Sequence, residues 1–212
     1  MLFLDEMALF DSRTLEALRQ PLEDGYVNII RQEGKVRFPA RTILVAASNP
    51  CRCGYAGDPS HECTCTSGQI SDYMNKLSGP VIDRIDMHIR VGRVKTEEIA
   101  GKKKRENISS AEMRLQVEEA RKIQLERFKN ENIFFNSAMS AHQIEKYCPL
   151  GRNEKELITA AYEKLSMSMR TYKRMIKLSR TIADLQGSSE IKTEHLAEAM
   201  QYRDLTEYYR RN

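Results

Sequence analysis

The 212-residue sequence contains no apolar run that approaches the ~20 residues a helix needs to cross a bilayer. No basic flank precedes an apolar stretch at the N-terminus, so we expect no secretory signal there. Apolar residues make up 41% of the chain and charged residues 30%, a balance typical of soluble globular proteins rather than disordered ones. We therefore expect a cytoplasmic protein of one or two domains with a buried core and no membrane partner.

Positive charge is concentrated in the second half of the chain. Residues 1–92 carry 10 Lys or Arg and 12 Asp or Glu, whereas residues 93–212 carry 24 and 18, so the two parts have net charges of −2 and +6. A solvated helical surface accounts for this excess, and so does a surface that faces a polyanion. Both interpretations stay open.

A glycine-rich phosphate-binding motif of the form G-x-x-x-x-G-K-[ST] is also absent. Residues 2–6 nevertheless read Leu-Phe-Leu-Asp-Glu, an apolar strand followed by the two carboxylates of a nucleotide-hydrolysis site. In such a site, Asp5 holds Mg²⁺ through its hydration shell and Glu6 orients the water that attacks the γ-phosphate. Strands that end in acids are common, so the pattern is weak by itself. Without a phosphate loop, it predicts the back half of an ATPase.

Secondary-structure signals change along the chain. Apolar runs of strand length predict strands at 2–4, 42–48 and 85–91, and the second of these should be buried on both faces, as in a parallel sheet. A hairpin is predicted over 26–39, after a helix that Pro21 kinks or ends and Gly25 closes. Beyond residue 95 only helical patterns remain, and they predict helices at 109–129, 140–147, 153–165, 168–186 and 193–204. The sequence therefore predicts an α/β domain over 1–95 and an all-α domain over 96–212.

Six segments carry a family resemblance: Phe-Leu-Asp-Glu at 3–6, Leu-Arg-Gln-Pro-Leu-Glu-Asp-Gly at 18–25, Phe-Pro-Ala-Arg at 38–41, Ala-Ala-Ser-Asn-Pro-Cys-Arg-Cys-Gly at 46–54, Ser-Gly-Pro-Val-Ile-Asp-Arg-Ile-Asp at 78–86 and Ser-Arg-Thr-Ile-Ala-Asp-Leu at 179–185. In this order they resemble AAA+ ATPases of the magnesium-chelatase-like ComM/YifB family and, more distantly, MCM helicases. The resemblance implies a partial AAA+ P-loop NTPase core, with a fragment of a parallel sheet, followed by a helical lid domain. It also implies ATP and Mg²⁺ as cofactors of a full-length parent.

The resemblance assigns roles to five polar residues. Asp5 and Glu6 match Walker B, and Asn49 matches sensor 1, whose amide contacts the γ-phosphate or its attacking water. Arg84 matches the arginine finger that stabilises charge on the ATP of a neighbouring subunit. Arg170 matches sensor 2 in the lid domain.

Two of these residues have simpler interpretations. Asn49 is a common turn residue, and Arg84 lies between Asp83 and Asp86, where a local ion pair contributes little. Arg170 stands at a predicted helix start, where a cation opposes the helix dipole unless an anion lies nearby. That placement mildly supports a phosphate contact.

The predicted hairpin matches the pre-sensor-1 hairpin, which projects into the central channel of hexameric helicases. Arg31 falls where MCM-like proteins place a basic DNA-contacting residue, and Lys35 follows across the turn. Basic residues at a hairpin tip are usually only solvated, but a ring brings six copies together and makes phosphate contacts plausible. The resemblance thus implies DNA and a hexameric ring as partners of the parent.

Four of the five cysteines form the pattern Cys51-x-Cys53…Cys63-x-Cys65. Paired cysteines in an intracellular protein bind metal more often than they form disulfides, and four thiolates suit a closed, structural Zn²⁺ site. The C-x-C spacing is tighter than the usual C-x₂-C, and reduced thiols without a metal are the alternative. Cys148 is expected to be buried and structural.

Three functions stay open. The first is a DNA-acting AAA+ motor of the helicase, branch-migration, DNA-uptake or recombination type. The second is the ATPase subunit of magnesium chelatase, and the third is a non-enzymatic zinc or nucleic-acid-binding module. The hairpin and the cysteine pattern favour the first. In every case we expect this chain by itself to be inactive as an ATPase.

Overall fold

The computed structural model describes residues 1–32, 34–94, 108–165 and 167–203. These residues form two compact units, one containing 1–85 and 90–93 and the other containing 86–89 and the described part of 94–204. The predicted domain boundary at residues 95 and 96 lies outside the described residues.

The first unit has four short strands and four short helices. The strands are β1 (Leu2–Leu4), β2 (Tyr26–Arg31), β3 (Gly34–Pro39) and β4 (Leu44–Ala46). The helices are α1 (Ser12–Ala17), α2 (Arg19–Asp24), α3 (Ser67–Asn75) and α4 (Gly79–Ile82). β1 and β4 pair in parallel, and β2 and β3 form the predicted antiparallel hairpin.

One face of the β1–β4 sheet is covered. Leu4 packs with Met7, Leu15 and Val81 in a small core, because successive strand side chains point to opposite faces. The other face shows Phe3, which stands opposite Val45, and these side chains are 57% and 42% exposed. The sequence predicted a strand over 42–48 buried on both faces. The observed strand is shorter and half-covered.

The helical segment after residue 11 breaks near its middle. α1 ends at Ala17 and α2 begins at Arg19, two residues before Pro21, whose ring fits the first turn of a helix. Gly25 then ends α2 at φ 72°, a conformation that glycine adopts without strain. The chain turns directly into β2.

The predicted strand over 85–91 is wrong. Within the described residues this segment forms no sheet pairing, and the backbone N–H of His88 instead donates to the carbonyl of Tyr202 at 2.8 Å. Apolar alternation alone does not make a strand, because each strand needs a neighbour for its backbone hydrogen bonds.

The described residues of the second unit form helices joined by loops, and none of them forms a strand. Its helices are α5 (Ser110–Arg127), α6 (Ala141–Tyr147), α7 (Arg152–Lys164), α8 (Met169–Leu185) and α9 (Thr193–Gln201). α8 is the central helix: it contacts α5, α6 and α9 and buries Met175, Ile176 and Ile182. The predicted fold class, an α/β piece followed by an all-α piece, is confirmed. No helix in the described parts of the chain combines the length and apolarity needed to span a membrane.

The segment Ser179–Leu185, one of the six that carry the resemblance, lies in the core of the second unit. Arg180 and Asp184 are each 1% exposed, and the Arg180 Nε donates to an Asp184 carboxylate oxygen at 3.0 Å. The Arg180 guanidinium also donates to the carbonyls of Ser188 and Ser189, which follow the helix. The polar residues of this segment therefore stabilise the helical unit.

Candidate functional site

Two strands bring three candidate residues to one edge of the sheet. Asp5 and Glu6 directly follow β1, and Asn49 is the third residue after the end of β4. Hydrogen bonds continue past the strand ends, from the Ala47 N–H to the Leu4 carbonyl at 2.9 Å and from the Met7 N–H to the Ala47 carbonyl at 2.8 Å. Because the carboxyl ends of parallel strands meet at one edge, the acids and the amide lie on the same exposed rim.

The backbone at Glu6 is strained. Its φ of 49° and ψ of 46° are left-handed, and no other non-glycine residue in the described ranges has a positive φ. The Asp5 carboxylate accepts a hydrogen bond from the Glu6 N–H at 3.0 Å. Left-handed conformations are uncommon for residues with a side chain and cluster at functional sites. No pattern in the sequence indicated this geometry.

Arg84 is ion-paired inside its own unit. Its guanidinium donates to the Pro80 carbonyl at 2.6 Å and to the carboxylate of Glu23, at the end of α2. The side chain is only 6% exposed. Asp86, a sequence neighbour, pairs with Arg174 at 3.1 Å in the second unit. The partner Glu23 is 61 residues away in sequence, so spacing did not reveal it.

Arg170 is the second residue of α8 and is exposed. The helix begins after Ser168, whose hydroxyl accepts a hydrogen bond from the Thr171 N–H at 3.1 Å. The guanidinium thus stands at the positive end of the helix dipole, as the sequence predicted. Arg170 belongs to the second unit, whereas the Asp5 rim belongs to the first.

The two basic residues predicted at the hairpin tip lie on opposite faces. Arg31 stands opposite Gly34, and Lys35 stands opposite Ile30. Directly opposed residues share a face, and faces alternate along each strand. Lys35 therefore shares its face with Arg37, a basic residue that the sequence analysis did not single out.

Arg37 is positioned by its neighbours on β2. Its guanidinium carbon lies 4.1 Å above the Tyr26 ring centroid, and its Nε donates to the Asn28 side chain at 3.4 Å. The alternation of Lys35 and Arg37 along one strand was the available signal for this basic face.

The cysteine loop, residues 50–66, brings four sulfurs together. The Sγ atoms of Cys51 and Cys53 are 3.3 Å apart, and Cys63 lies 3.7 Å from the first and 3.5 Å from the second. With Cys65 included, all four sulfurs lie within 4.8 Å of one another. A tetrahedral zinc site with Zn–S bonds of ~2.3 Å requires S···S separations of about 3.8 Å. The donor set and its spacing fit Zn²⁺.

Backbone N–H groups point at these sulfurs. The Ala56 N–H donates to Cys51 Sγ at 3.4 Å. The hydrogen bond from the Tyr55 N–H is the main cause that lowers the pKa of Cys53 to about 5. The Cys65 N–H acts in the same direction on Cys63, but burial and the adjacent sulfurs outweigh it and raise that pKa to about 12. Such donors stabilise thiolates, the form that binds metal.

Cys148 lies apart from this cluster, in the second unit. It is buried beside Met139, and burial raises the pKa of its thiol to about 11. The expectation of a buried structural cysteine is confirmed.

Comparison with known proteins covers almost the whole chain. The family model "Magnesium chelatase, subunit ChlI" matches residues 1–99, and the model of the ChlI C-terminal region matches residues 107–203. The competence protein ComM of Haemophilus influenzae is 43% identical over 204 residues, which is 96% of this chain and 38% of the relative. YifB of Escherichia coli is 36% identical over 209 residues, or 96% of this chain and 39% of the relative. Rv2897c of Mycobacterium tuberculosis is 33% identical over 204 residues, which is 96% of this chain and 39% of the relative. The chain therefore spans about two fifths of the length of these relatives.

Proposed function

This chain belongs to the magnesium-chelatase-like ComM/YifB family of AAA+ ATPases, and we propose that it supplies the catalytic acids, both sensors and the arginine finger of an ATP-driven motor that acts on DNA. The motor is a hexameric ring formed by a longer parent that carries the phosphate loop. Its reaction is the hydrolysis of ATP. The strand movements that hydrolysis drives are of the helicase, branch-migration, DNA-uptake or recombination type.

One observation carries the proposal: the parallel pairing of β1 and β4 brings Asp5, Glu6 and Asn49 to one rim. Bound ATP with its Mg²⁺ would supply the phosphoanhydride bond to be cleaved. Asp5 would hold the hydrated metal, and the Glu6 carboxylate would orient the attacking water and accept its proton. The Asn49 amide can donate to the γ-phosphate and accept from the same water.

Two arginines complete the proposed chemistry. Arg84 serves the ATP of a neighbouring subunit, and Arg170 contacts the γ-phosphate from the lid. Because Arg84 is almost fully buried against Glu23, its guanidinium must leave that carboxylate to reach a phosphate. If phosphate oxygens of the neighbour's ATP replaced Glu23 as the partner of Arg84, assembly of the ring would be coupled to activation of ATP hydrolysis.

DNA is the proposed partner because basic side chains lie on both faces of the hairpin. Arg31 stands at the tip, and Lys35 and Arg37 share the opposite face. A single hairpin offers few phosphate contacts, but six copies around a channel multiply them. The excess positive charge of residues 93–212 is compatible with the same partner.

Zinc is the proposed occupant of the cysteine loop, held by Cys51, Cys53, Cys63 and Cys65. Its role is structural, because all four tetrahedral positions are filled by protein sulfur. The loop begins directly after Asn49, so the metal would also restrain the segment that carries sensor 1. Thiolate ligands require a reducing compartment, which supports a cytoplasmic location.

The test is the ATPase rate of the longer parent with and without DNA. We expect DNA to stimulate hydrolysis, and Glu6→Gln to abolish hydrolysis while ATP still binds. Glu145→Gln, an exposed change on α6, is the matched control and should be neutral. Stimulation by a porphyrin rather than DNA would instead identify a magnesium-chelatase subunit. A parent that never hydrolyses ATP would identify a non-enzymatic module.

A further inference from the structure

Three planar side chains, of which Tyr55 is half-buried and the other two are exposed, form a stack beside the cysteine cluster. The rings of Tyr55 and His61 are stacked, with centroids 5.1 Å apart and an interplanar angle of 12°. The Arg93 guanidinium carbon lies 5.4 Å from the Tyr55 ring centroid, and Arg93 Nη1 is 2.6 Å from His61 Nδ1. His61 is exposed and the Arg93 side chain is 53% exposed. We call these three residues the stack.

The cysteine loop positions the stack from both sides. Tyr55 follows Cys53 by two residues, and His61 precedes Cys63 by two residues. Between them, the Asp58 carboxylate accepts hydrogen bonds from the Ser60 N–H at 2.8 Å and the Ser60 hydroxyl at 2.6 Å. Each ring is thus tied closely to a sulfur of the cluster.

A second segment closes onto the same loop. Arg90 donates to the Gly57 carbonyl, and Arg93 lies 3.9 Å from the Asp58 carboxylate. Gly57 has a φ of 73°, and a Cβ there would stand 2.5 Å from Arg90 Nη2. The positive φ favours glycine at this position, and a side chain there would displace the end of the Arg90 side chain from the loop.

Structural stability alone does not require this arrangement. The exposed His61 ring gains little from burial, and the four buried or half-buried sulfurs already bring the two ends of the loop together. Exposed rings and guanidinium planes on a rigid support are the means by which proteins stack unpaired nucleobases.

Charge favours base stacking over phosphate attraction at this surface. Four thiolates around one Zn²⁺ leave a net negative charge, which offsets nearby arginines. The cysteine loop itself has Arg52 but also Asp58 and Glu62. Long-range attraction of a polyanion is therefore weak here. Affinity for a nucleic acid would come mainly from contact between its bases and the flat faces of the stack.

We propose that the stack formed by Tyr55, His61 and Arg93 binds unpaired bases of single-stranded DNA. The inference rests on the proposed DNA-acting function and adds a second contact site, separate from the basic hairpin. The hairpin holds phosphates, whereas the stack holds bases and thereby favours single strands over duplexes.

The test measures binding of a fluorescein-labelled oligothymidylate of about 20 nucleotides to the zinc-loaded chain by fluorescence anisotropy. We expect His61→Ala and Tyr55→Leu each to weaken binding about fivefold or more, with little change in salt dependence. Arg31→Glu should instead reduce the salt dependence. His142→Ala, which alters an exposed histidine of α6, is the matched control and should bind as the wild type does.

A second readout needs no variant. Photocrosslinking of wild-type chain to 5-iododeoxyuridine DNA should place the crosslink on Tyr55 or His61, as found by mass spectrometry. If DNA binds but crosslinks only to the hairpin, and both variants bind normally, the inference fails while the proposed function stands. If the wild-type chain binds no DNA even at low salt, the inference fails, whereas the DNA-stimulated ATPase rate of the longer parent decides the proposed function separately.

Discussion

Arg127 and Asp184 form a two-point ion pair that joins α5 to α8: Arg127 Nη1 and Nη2 lie 2.7 Å and 2.5 Å from the two carboxylate oxygens of Asp184. The same carboxylate accepts from Arg180 Nε at 3.0 Å and from the Asn136 amide at 2.7 Å. One fully buried acid therefore forms ion pairs with two guanidiniums at the centre of the helical unit.

Asp184→Asn should strongly destabilise the second unit, because it leaves the buried Arg180 and the partly buried Arg127 without their counter-charge. Removal of one partner from a buried ion pair costs about 3–5 kcal/mol. Urea unfolding followed by far-UV circular dichroism measures the loss. Asp72→Asn, at an exposed position of α3, is the control and should cost little. An unchanged urea midpoint for Asp184→Asn would show that this ion-pair network contributes little to the stability of the second unit.

Acidification should weaken the second unit through His195. This buried ring accepts from the Lys192 N–H at Nδ1 and donates to the Gln186 side chain from Nε2, both at 2.9 Å, so it is neutral. Burial lowers its pKa below the ordinary 6.5. The unfolded chain then binds the proton more readily, so this contribution to stability is complete above pH 6.5 and declines as pH falls below that value.

The melting temperature of the second unit between pH 8 and 5 checks this sign. His195→Gln keeps an acceptor for the Lys192 N–H and removes the titration, so its pH dependence should be shallower than that of the wild type. His142→Gln, at an exposed site, should follow the wild-type curve. Parallel curves for all three proteins would exclude His195 as the titrating group.

Zinc should be present at about one ion per chain in protein purified without chelator. Cys63→Ser should lose the metal and lower the melting temperature of the first unit, because the polar cysteine loop is then held only by local hydrogen bonds. Cys148→Ala removes a thiol outside the cluster and should retain the metal. If the chain folds in a zinc-supplemented preparation but contains no zinc, the proposed metal site is refuted.

Arg84→Ala in the longer parent should abolish ATP hydrolysis while largely sparing ATP binding and ring assembly. Loss of an arginine that stabilises the transition state costs ~10³–10⁵ in rate. Arg19→Ala is the control, since Arg19 is paired to Glu16 on the helix surface. Turnover close to the wild-type rate would show that the ion pair with Glu23 is the whole role of Arg84.

The 212-residue chain by itself should neither bind ATP tightly nor hydrolyse it. Phosphate-loop N–H groups and the associated lysine supply most of the affinity for a triphosphate, and the sequence contains no such motif. Asp5 and Glu6 add negative charge that repels phosphates unless Mg²⁺ lies between them. Isothermal calorimetry with ATP and Mg²⁺ is the measurement. Micromolar affinity would reveal a phosphate site elsewhere in the chain.

Local patterns were sufficient for much of this protein. Apolar periodicity located the hairpin and the five described helices of the second unit, because each helix or strand repeats its burial at a fixed interval. Short motifs located the acids after β1, the asparagine after β4 and the four cysteines, since such residues follow strands or turns at fixed spacing. The family followed from the order of these motifs.

Tertiary packing decided the rest. The sequence places Glu23 61 residues from Arg84, and His61 32 residues from Arg93, so neither contact is visible in any local pattern. The left-handed backbone of Glu6 likewise depends on hydrogen bonds that link the ends of two strands. Residues 85–91 have strand-like alternation but no neighbouring strand among the residues that the structure describes, and pairing rather than propensity determines a sheet. Periodicity is a property of adjacent residues, whereas ion pairs, stacks and strand pairing depend on which distant segments the folded chain brings together.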